Sequence, residues 1–218
     1  MKPVSYSGLS TYAKCPSAFK RRYITKEEVA EGAGPSPAAL RGAAIHKCIE
    51  EFLLKESDEL AEEVEFYDEF FTDLRENPTL KPEHRWAFNA DWAMVPFNDP
   101  TAILRGVTDA VVQDGMVAYV YEFKTGKRYE EHAQQRALYG LAALLTHPMA
   151  AEAEVFTMYL DDRSHEHANY SREQLQAYKW MWRTKVDVVW AEQDYPETPS
   201  WKCKYCPYSE TRGGTCPN

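Results

Sequence analysis

Residues 105–126 read RGVTDAVVQDGMVAYVYEFKTG, two runs of β-forming residues on either side of Asp114-Gly115. An Asp-Gly pair in this setting is a strong signal for a hairpin with a two-residue turn. If Asp114-Gly115 forms the turn, Asp109 pairs with Val120. Asp109 and Glu122 are then diagonal neighbours on one face of the hairpin, with backbones roughly 7–8 Å apart.

One face of this hairpin combines two acids, a base and several apolar residues. Side chains alternate along a strand, so Glu122 and Lys124 share a face with Asp109. Four apolar residues on the same face predict that it is buried: Val107, Val111, Ala118 and Val120. Buried carboxylates need a cation or hydrogen-bond donors. Two carboxylates so placed can converge on one divalent cation, with Lys124 beside them.

The segments around the hairpin predict a sheet flanked by helices, in an α/β (α+β) domain. Residues 31–37 are predicted to be a loop, because they are rich in glycine and proline. The other predicted elements, in chain order, are helices over 36–55 and 60–75, strands over 85–95, 103–113 and 116–123, a helix over 129–146, a strand over 154–160, and a helix that a capping box opens at Ser171.

Length and composition predict one globular domain over residues 1–218, since 218 residues suffice for one full core. Apolar residues at 44% and charged residues at 27% are typical of a soluble protein. The longest apolar run is too short to cross a bilayer, and the N-terminus lacks the apolar stretch of a secretory signal. We therefore expect a cytoplasmic protein that does not bind membranes.

The negative charge of the chain is concentrated in one segment. Residues 50–76 hold twelve acidic and two basic side chains, a local net charge of −10 against −9 for the whole chain. The remainder is close to neutral and includes basic runs such as residues 20–22, which could meet DNA phosphates. Charge therefore neither supports nor excludes an enzyme that acts on nucleic acid.

Several motifs, in a fixed order, give the chain a family resemblance. The hairpin carries a D…ExK pattern, and the full set is Gly42-x3-His46-x3-Glu50, Arg105-Gly106-Val107-Thr108-Asp109, Glu122-Phe123-Lys124-Thr125-Gly126 and Gln135-x3-Tyr139. In these motifs the chain resembles the PD-(D/E)XK nuclease superfamily. Within it, the chain is similar to the RecB-type branch, which includes CRISPR-associated RecB-like nucleases and phage exonucleases. The resemblance implies a restriction-endonuclease-like fold, a central mixed sheet flanked by helices.

The resemblance also implies the chemistry, which is hydrolysis of DNA phosphodiester bonds with Mg²⁺ or Mn²⁺. Asp109 and Glu122 would hold the metal together with His46 and the backbone carbonyl of Phe123. Lys124 would orient the attacking hydroxide or stabilise the negative charge that develops on the phosphate.

Helical spacing gives the remaining motif residues a place near this site. Gly42, His46 and Glu50 lie within an arc of about 80° on a helix. His46 can face the hairpin while Gly42 lets another element approach, and Glu50 either supports the site or is exposed. Gln135 and Tyr139, one turn apart, would contact the nucleic acid or order water. Ordinary helix packing is the alternative for both, and for Tyr139 especially.

Five cysteines in a cytosolic protein favour a metal or redox role over a disulfide framework. Three of them, Cys203, Cys206 and Cys216, lie in the last sixteen residues. The resemblance adds Cys15 as the distant fourth ligand of a [4Fe–4S] cluster. Zinc competes with iron–sulfur because C-x2-C pairs serve both. Cys48 is interpreted as a buried, small apolar residue of a helix.

With such a cluster, the two ends of the chain, residues 1–30 and 195–218, would form one cysteine-cluster lobe. The leading hypothesis is a metal-dependent DNA exonuclease that acts on ends or single strands in phage recombination or DNA processing. The first alternative is a CRISPR-associated nuclease that trims DNA beside an integrase partner. An alternative of another class is a non-catalytic DNA-binding module with a structural zinc site.

Overall fold

The fold is a mixed five-stranded sheet with helices on both faces, seen in a computed structural model that describes residues 2–30 and 33–218. The predicted α/β class with a central mixed sheet is confirmed. Residues 31 and 32 of the predicted loop lie outside the described residues. The main elements are α1 (Tyr6–Lys14), α2 (Pro16–Phe19), α3 (Pro37–Leu53), α4 (Asp68–Glu76), β1 (Lys81–Asn89), β2 (Ala102–Asp114), β3 (Val117–Lys124), α5 (Glu131–Thr146), β4 (Glu152–Tyr159), β5 (Ser164–Ser171) and α6 (Leu175–Ala191).

Shorter helical segments lie between and after these elements. They are a π-helical turn (Lys20–Ile24) and 3-10 segments at Glu62–Tyr67, Arg172–Gln174, Trp201–Tyr205 and Glu210–Arg212.

The strands lie side by side in chain order, β1-β2-β3-β4-β5. Neighbours are antiparallel except for β3 and β4, which are parallel. A parallel pair needs a crossover connection, and α5 supplies it. The crossover lays α5 against β3 and β4. The motif residues of α5 are thereby placed beside those of β3.

Helices bury both faces of the β2–β3 hairpin. One face packs with α5 and α6 in a core that includes Val111, Ala118 and Val120. The opposite face, which includes Ala110, packs with α3 and α4 in a second core. The predicted burial of the apolar residues beside the two acids is therefore correct at three positions, whereas Val107 is only half-buried.

The hairpin turn differs from the prediction. The two loop residues are Gly115-Met116 rather than Asp114-Gly115. Gly115 has a φ of 53°, in the left-handed region that glycine adopts without steric cost, and this backbone is used at the first loop position. The register moves by two residues as a result. The shift preserves the faces, and the last pair of the ladder is Ala110 with Tyr121, so that Asp109 and Glu122 directly follow this pair.

Strands β2 and β3 part just beyond this hairpin. Their pairing ends at Ala110 and Tyr121. β2 then continues along β1, while β3 continues along β4 as far as Lys124. An opening forms between the two strands at the end away from the turn, with Asp109 and Glu122 at its apex. We call this opening the cleft.

Three other elements differ from the prediction. The predicted helix over 60–75 is divided between a 3-10 segment and α4. β1 begins at Lys81, four residues before its predicted start, and ends at Asn89. β5 (Ser164–Ser171) is absent from the predicted elements. It is an edge strand of largely polar residues, which gives little apolar signal.

Candidate active site

Asp109 lies at the apex of the cleft. Its Oδ2 accepts a hydrogen bond of 2.7 Å from the Phe123 backbone N–H. The carboxylate thus serves as an acceptor at the point where β2 and β3 part. Burial, together with the negative charge of Glu122, raises the pKa of Asp109 well above its usual value. The apex therefore concentrates negative charge that a cation would stabilise.

Glu122 is the more deeply buried of the two acids, with 5% of its surface exposed. Its Oε1 accepts hydrogen bonds from Lys124 Nζ and from Gln135 Nε2, the latter at 2.9 Å. Its Oε2 is buried and has no hydrogen-bond partner among the described residues. A buried carboxylate oxygen without a donor is rare in folded proteins. This oxygen is the one that would coordinate a bound cation.

Lys124 balances only part of this charge. Burial disfavours its ammonium form, but on balance the pKa of Lys124 is raised because Glu122 lies against it and Asp109 is near. Lys124 is therefore charged at neutral pH. One positive and two negative side chains leave the apex with a net negative charge when both acids are ionised, which favours a divalent cation.

Helix α3 brings His46 to the cleft. Its Nδ1 lies 3.7 Å from Asp109 Oδ2, and the ring also approaches the backbone of Phe123. Burial lowers the pKa of His46, so the ring is neutral at pH 7 and has a lone pair to offer a metal. The close approach of α3 depends on Gly42, because a Cβ there would lie 2.7 Å from Thr125 Oγ1.

Helix α5 contributes Gln135 and Tyr139 through a chain of hydrogen bonds. Gln135 Nε2 donates to Glu122 Oε1 and to the Tyr139 hydroxyl, both at 2.9 Å. Tyr139 is buried and packs edge-on against Trp86. Gln135 therefore orients an acid of the site, which differs from the predicted contact with nucleic acid or water. Tyr139 lies in the core and contacts Gln135, which matches the packing alternative more closely than direct contact with nucleic acid.

The side chains at the apex fit a hard divalent cation in their chemistry. Carboxylate and carbonyl oxygens with one imidazole suit Mg²⁺ or Mn²⁺. In residues 2–30 and 33–218, no three His, Cys, Asp or Glu side chains are close enough to hold a metal ion as they stand. The Asp109 carboxylate accepts a hydrogen bond from the Phe123 N–H, and the Glu122 carboxylate accepts one from Lys124. The unpartnered Oε2 of Glu122 supports the fit, and side-chain rotation would be needed to complete the ligand set.

A third acid, Glu83, lies beside the first two and was not predicted. The β1–β2 register pairs Pro82 with Ala110, and its continuation places Glu83 opposite Asp109. Burial raises the pKa of Glu83, and the charges of Glu50 and Glu122 add to the effect. The one signal for Glu83 in the sequence is its position close to a predicted strand. The predicted strand covers residues 85–95 and therefore excludes Glu83, whereas β1 begins at Lys81.

The four cysteines predicted to act together line one cavity of about 320 Å³. The residues are Cys15, Cys203, Cys206 and Cys216. All of them are free thiols, and as they stand they are not grouped closely enough to hold a metal ion. Cys48 lies elsewhere, on α3, where it is half-buried rather than fully buried, and its Sγ is 3.6 Å from the backbone oxygen of Glu59.

Backbone hydrogen bonds explain how Cys216 lines the same cavity as Cys206 although nine residues separate the two cysteines in the chain. The Cys216 N–H donates to the Tyr208 carbonyl at 2.8 Å, and the Glu210 N–H donates to the Cys216 carbonyl at 2.7 Å. The intervening residues thus form a loop that folds back on itself. The two chain ends also meet, since the Ser17 N–H donates to the Pro196 carbonyl at 3.2 Å.

Comparison with known proteins identifies the family. The chain belongs to the PD-(D/E)XK nuclease superfamily, whose family model matches residues 3–211. Membership makes the protein a nuclease with a nucleic-acid substrate, in a superfamily that typically uses Mg²⁺ or Mn²⁺.

Solved structures confirm the fold. One of 28 matching chains is that of the "Crystal structure of SSO0001", with a TM-score of 0.52 and 16% sequence identity, over 95% of this chain and 84% of the other. No curated protein matches the sequence. Among the described residues, no helix has the length and apolar character needed to cross a membrane.

Proposed function

We propose that this nuclease is a Mg²⁺- or Mn²⁺-dependent DNA exonuclease of the RecB-type branch. The observation that carries the proposal is the buried Oε2 of Glu122, which lacks a donor among the described residues and lies in the same site as Asp109 and Lys124. The order of the motifs from Gly42 to Tyr139 supports assignment to the RecB-type branch.

In phosphodiester hydrolysis by this site, Asp109, Glu122, His46 and the Phe123 carbonyl would hold the metal. The bound metal would activate a water molecule and neutralise charge on the phosphate. Gln135 fixes Glu122 through Oε1, so that Oε2 remains for the cation.

The protonated ammonium of Lys124 acts in the same mechanism as a fixed positive charge. It orients the attacking hydroxide or stabilises the negative charge that develops on the phosphate.

We further propose that the single domain is closed by a [4Fe–4S] cluster in a lobe formed by residues 1–30 and 195–218. The proposal is supported by the cavity that four cysteines share, which are Cys15, Cys203, Cys206 and Cys216. The alternative is a zinc ion bound by the same four thiolates. Free thiols are typical of the reducing cytoplasm, where such an enzyme would process DNA ends, as in phage recombination.

The test compares the purified protein with Asp109→Asn and with Asp114→Asn, an exposed acid of the same strand. Substrates are linear duplex, linear single-stranded and covalently closed circular DNA, each with Mg²⁺, Mn²⁺ or a chelator. We expect metal-dependent loss of linear DNA only, abolished in Asp109→Asn and unchanged in Asp114→Asn. Cleavage of closed circles would contradict an exonuclease. A folded protein inactive on every substrate would favour a non-catalytic module.

A further inference from the structure

The 3-10 segment Trp201–Tyr205 displays two large aromatic rings to solvent. Trp201 is 70% exposed and Tyr205 is 61% exposed. Their ring centroids are 6.2 Å apart in an edge-to-face arrangement. Two neighbouring exposed rings of this kind can offer their π-faces to a ligand, because neither ring fills the core. We call these two rings the aromatic pair.

Two lysines accompany the aromatic pair. Lys204 Nζ lies 4.9 Å from the centroid of the Tyr205 ring and 5.8 Å from that of Trp201. Lys202 Nζ lies 5.7 Å from the Trp201 centroid. Aromatic rings interleaved with basic side chains are typical of surfaces that bind unpaired nucleic acid, in which bases stack on the rings and phosphates meet the cations. A purely hydrophobic partner would leave the ammonium group of Lys204, which has no ion pair among the described residues, without a counter-charge.

An ion pair joins the segment that carries the aromatic pair to the N-terminal end of α5, the helix that contributes Gln135 to the site. Lys202 Nζ lies 3.4 Å from Glu131 Oε1, and Lys14 Nζ lies 3.1 Å from Glu131 Oε2. Glu131 is the first residue of α5, and Gln135 follows one turn later with its hydrogen bond to Glu122. The aromatic pair and the apex of the cleft are therefore connected through little more than one turn of a single helix.

We propose that Trp201 and Tyr205 stack the bases of a single DNA strand on its way into the cleft, while Lys204 contacts its phosphates. The inference rests on the proposed nuclease function and names its substrate as an unpaired strand. Stacking on aromatic rings tolerates any base sequence, which suits an exonuclease that acts on DNA ends of any sequence.

The experiment measures binding without cleavage, in an Asp109→Asn background. Fluorescence anisotropy of a short labelled oligothymidylate and of a blunt duplex is recorded at several salt concentrations. Trp201→Ala/Tyr205→Ala should weaken single-strand binding by at least about tenfold, since each stacked base contributes roughly that factor or more. Duplex binding should change much less. Trp201→Phe, which keeps a ring, should retain most of the affinity.

Two further variants separate the contributions. Trp180→Ala removes a 73% exposed indole on α6 and should leave binding unchanged. Lys204→Ala should lower the slope of log affinity against log salt by about 0.7, the value for one phosphate contact to a single strand.

Each outcome has a definite meaning. If the Asp109→Asn protein binds the oligonucleotide and the double Ala variant binds it equally well, the aromatic pair is not a base platform, and the proposed nuclease function stands. Equal weakening for the duplex and the single strand would also overturn stacking on unpaired bases. If the unmodified protein neither binds nor cleaves DNA, the proposed function fails first, and this inference fails with it.

Discussion

Gln135 on α5 donates a 2.9 Å hydrogen bond to Oε1 of Glu122 on β3. The other oxygen of this acid, Oε2, is buried and has no donor among the described residues. The amide cannot serve both oxygens, because it also donates to Tyr139. The arrangement fixes the direction in which Glu122 presents its remaining oxygen. It links the helix after the hairpin directly to the chemistry of the site.

Gln135→Ala should reduce metal affinity by about 10–100-fold, the usual effect of removing the partner that orients a metal ligand. The cause is loss of the bond that holds Glu122 Oε1, so that the carboxylate can rotate toward Lys124 alone. The metal concentration for half-maximal cleavage measures the effect. Gln134→Ala, an exposed neighbour on the same helix, is the control. Equal values for the two variants would mean that Gln135 does not position Glu122.

Asp109→Asn should raise the melting temperature of the metal-free protein. The folded state raises the pKa of Asp109, so the ionised acid is less stable in the fold than in the unfolded chain at neutral pH. Asparagine removes that charge and can still accept the hydrogen bond from the Phe123 N–H. The variant should also lose the stabilisation that Mn²⁺ gives the unmodified protein, about 2.7 kcal/mol at a hundred times Kd. Calorimetry with and without Mn²⁺ checks both effects, and Asp114→Asn should behave like the unmodified protein.

Cys15→Ala should lower thermal stability and remove the cluster, because closing a loop of this length through a metal centre restricts the unfolded chain. Anaerobically purified protein should be brown and contain about four irons per chain if the cluster is [4Fe–4S]. A colourless protein with one zinc would exclude iron–sulfur and retain the four-cysteine site. Cys48→Ala, whose thiol lies on α3, should leave colour, metal content and stability unchanged. Unchanged metal content in Cys15→Ala would contradict the joining of the chain ends by a cluster.

Gly42→Ala should impair cleavage by displacing Thr125. A Cβ at this position would lie 2.7 Å from Thr125 Oγ1, and Thr125 directly follows Lys124. The helix itself should tolerate alanine, which has a higher helix propensity than glycine by up to about 1 kcal/mol. Rates and melting temperatures of Gly42→Ala, Thr125→Ala and the double variant form the test. Additive effects on the rate would show that the two positions do not clash, since residues in contact are expected to couple.

The control for this prediction is Gly34→Ala, where an added Cβ meets nothing within 4 Å. It should leave the cleavage rate unchanged.

Stability should fall as the pH drops from about 6.5 to about 4, partly because of His84. Burial, with the charge of Lys81 and the proximity of His147, lowers the pKa of His84 to about 4. Over this window the unfolded chain binds a proton at His84 that the folded protein does not bind, so folding becomes less favourable as the pH falls. One such group contributes a slope of at most about 1.4 kcal/mol per pH unit.

The measurement for His84 is urea unfolding at several pH values in that window. His84→Gln should flatten the dependence of the unfolding free energy on pH. His167→Gln, on the exposed side of β5, should not. An identical pH dependence in His84→Gln and the unmodified protein would contradict the prediction.

The faces of the hairpin were predictable from the sequence, whereas its register was not. Alternation along a strand is local, so Asp109, Glu122 and Lys124 were assigned to one buried face correctly even with the wrong turn. The register depends on which residue takes the left-handed backbone. Gly115 could occupy either loop position, and the folded chain places it first. The resulting shift of two residues places both acids directly after the last β2–β3 pair, where the strands part.

The sequence by itself determined the class of fold, the motif residues and the hairpin that carries them, because periodicity and short-range spacing encode these features. Tertiary structure alone decided which distant residues meet. It placed Glu83 opposite Asp109, brought His46 to within 3.7 Å of that acid, and folded Cys216 back to the cavity that Cys15 also lines. These contacts join segments far apart in the chain. They depend on strand pairing, helix packing and the parting of β2 from β3, which no local pattern of residues specifies.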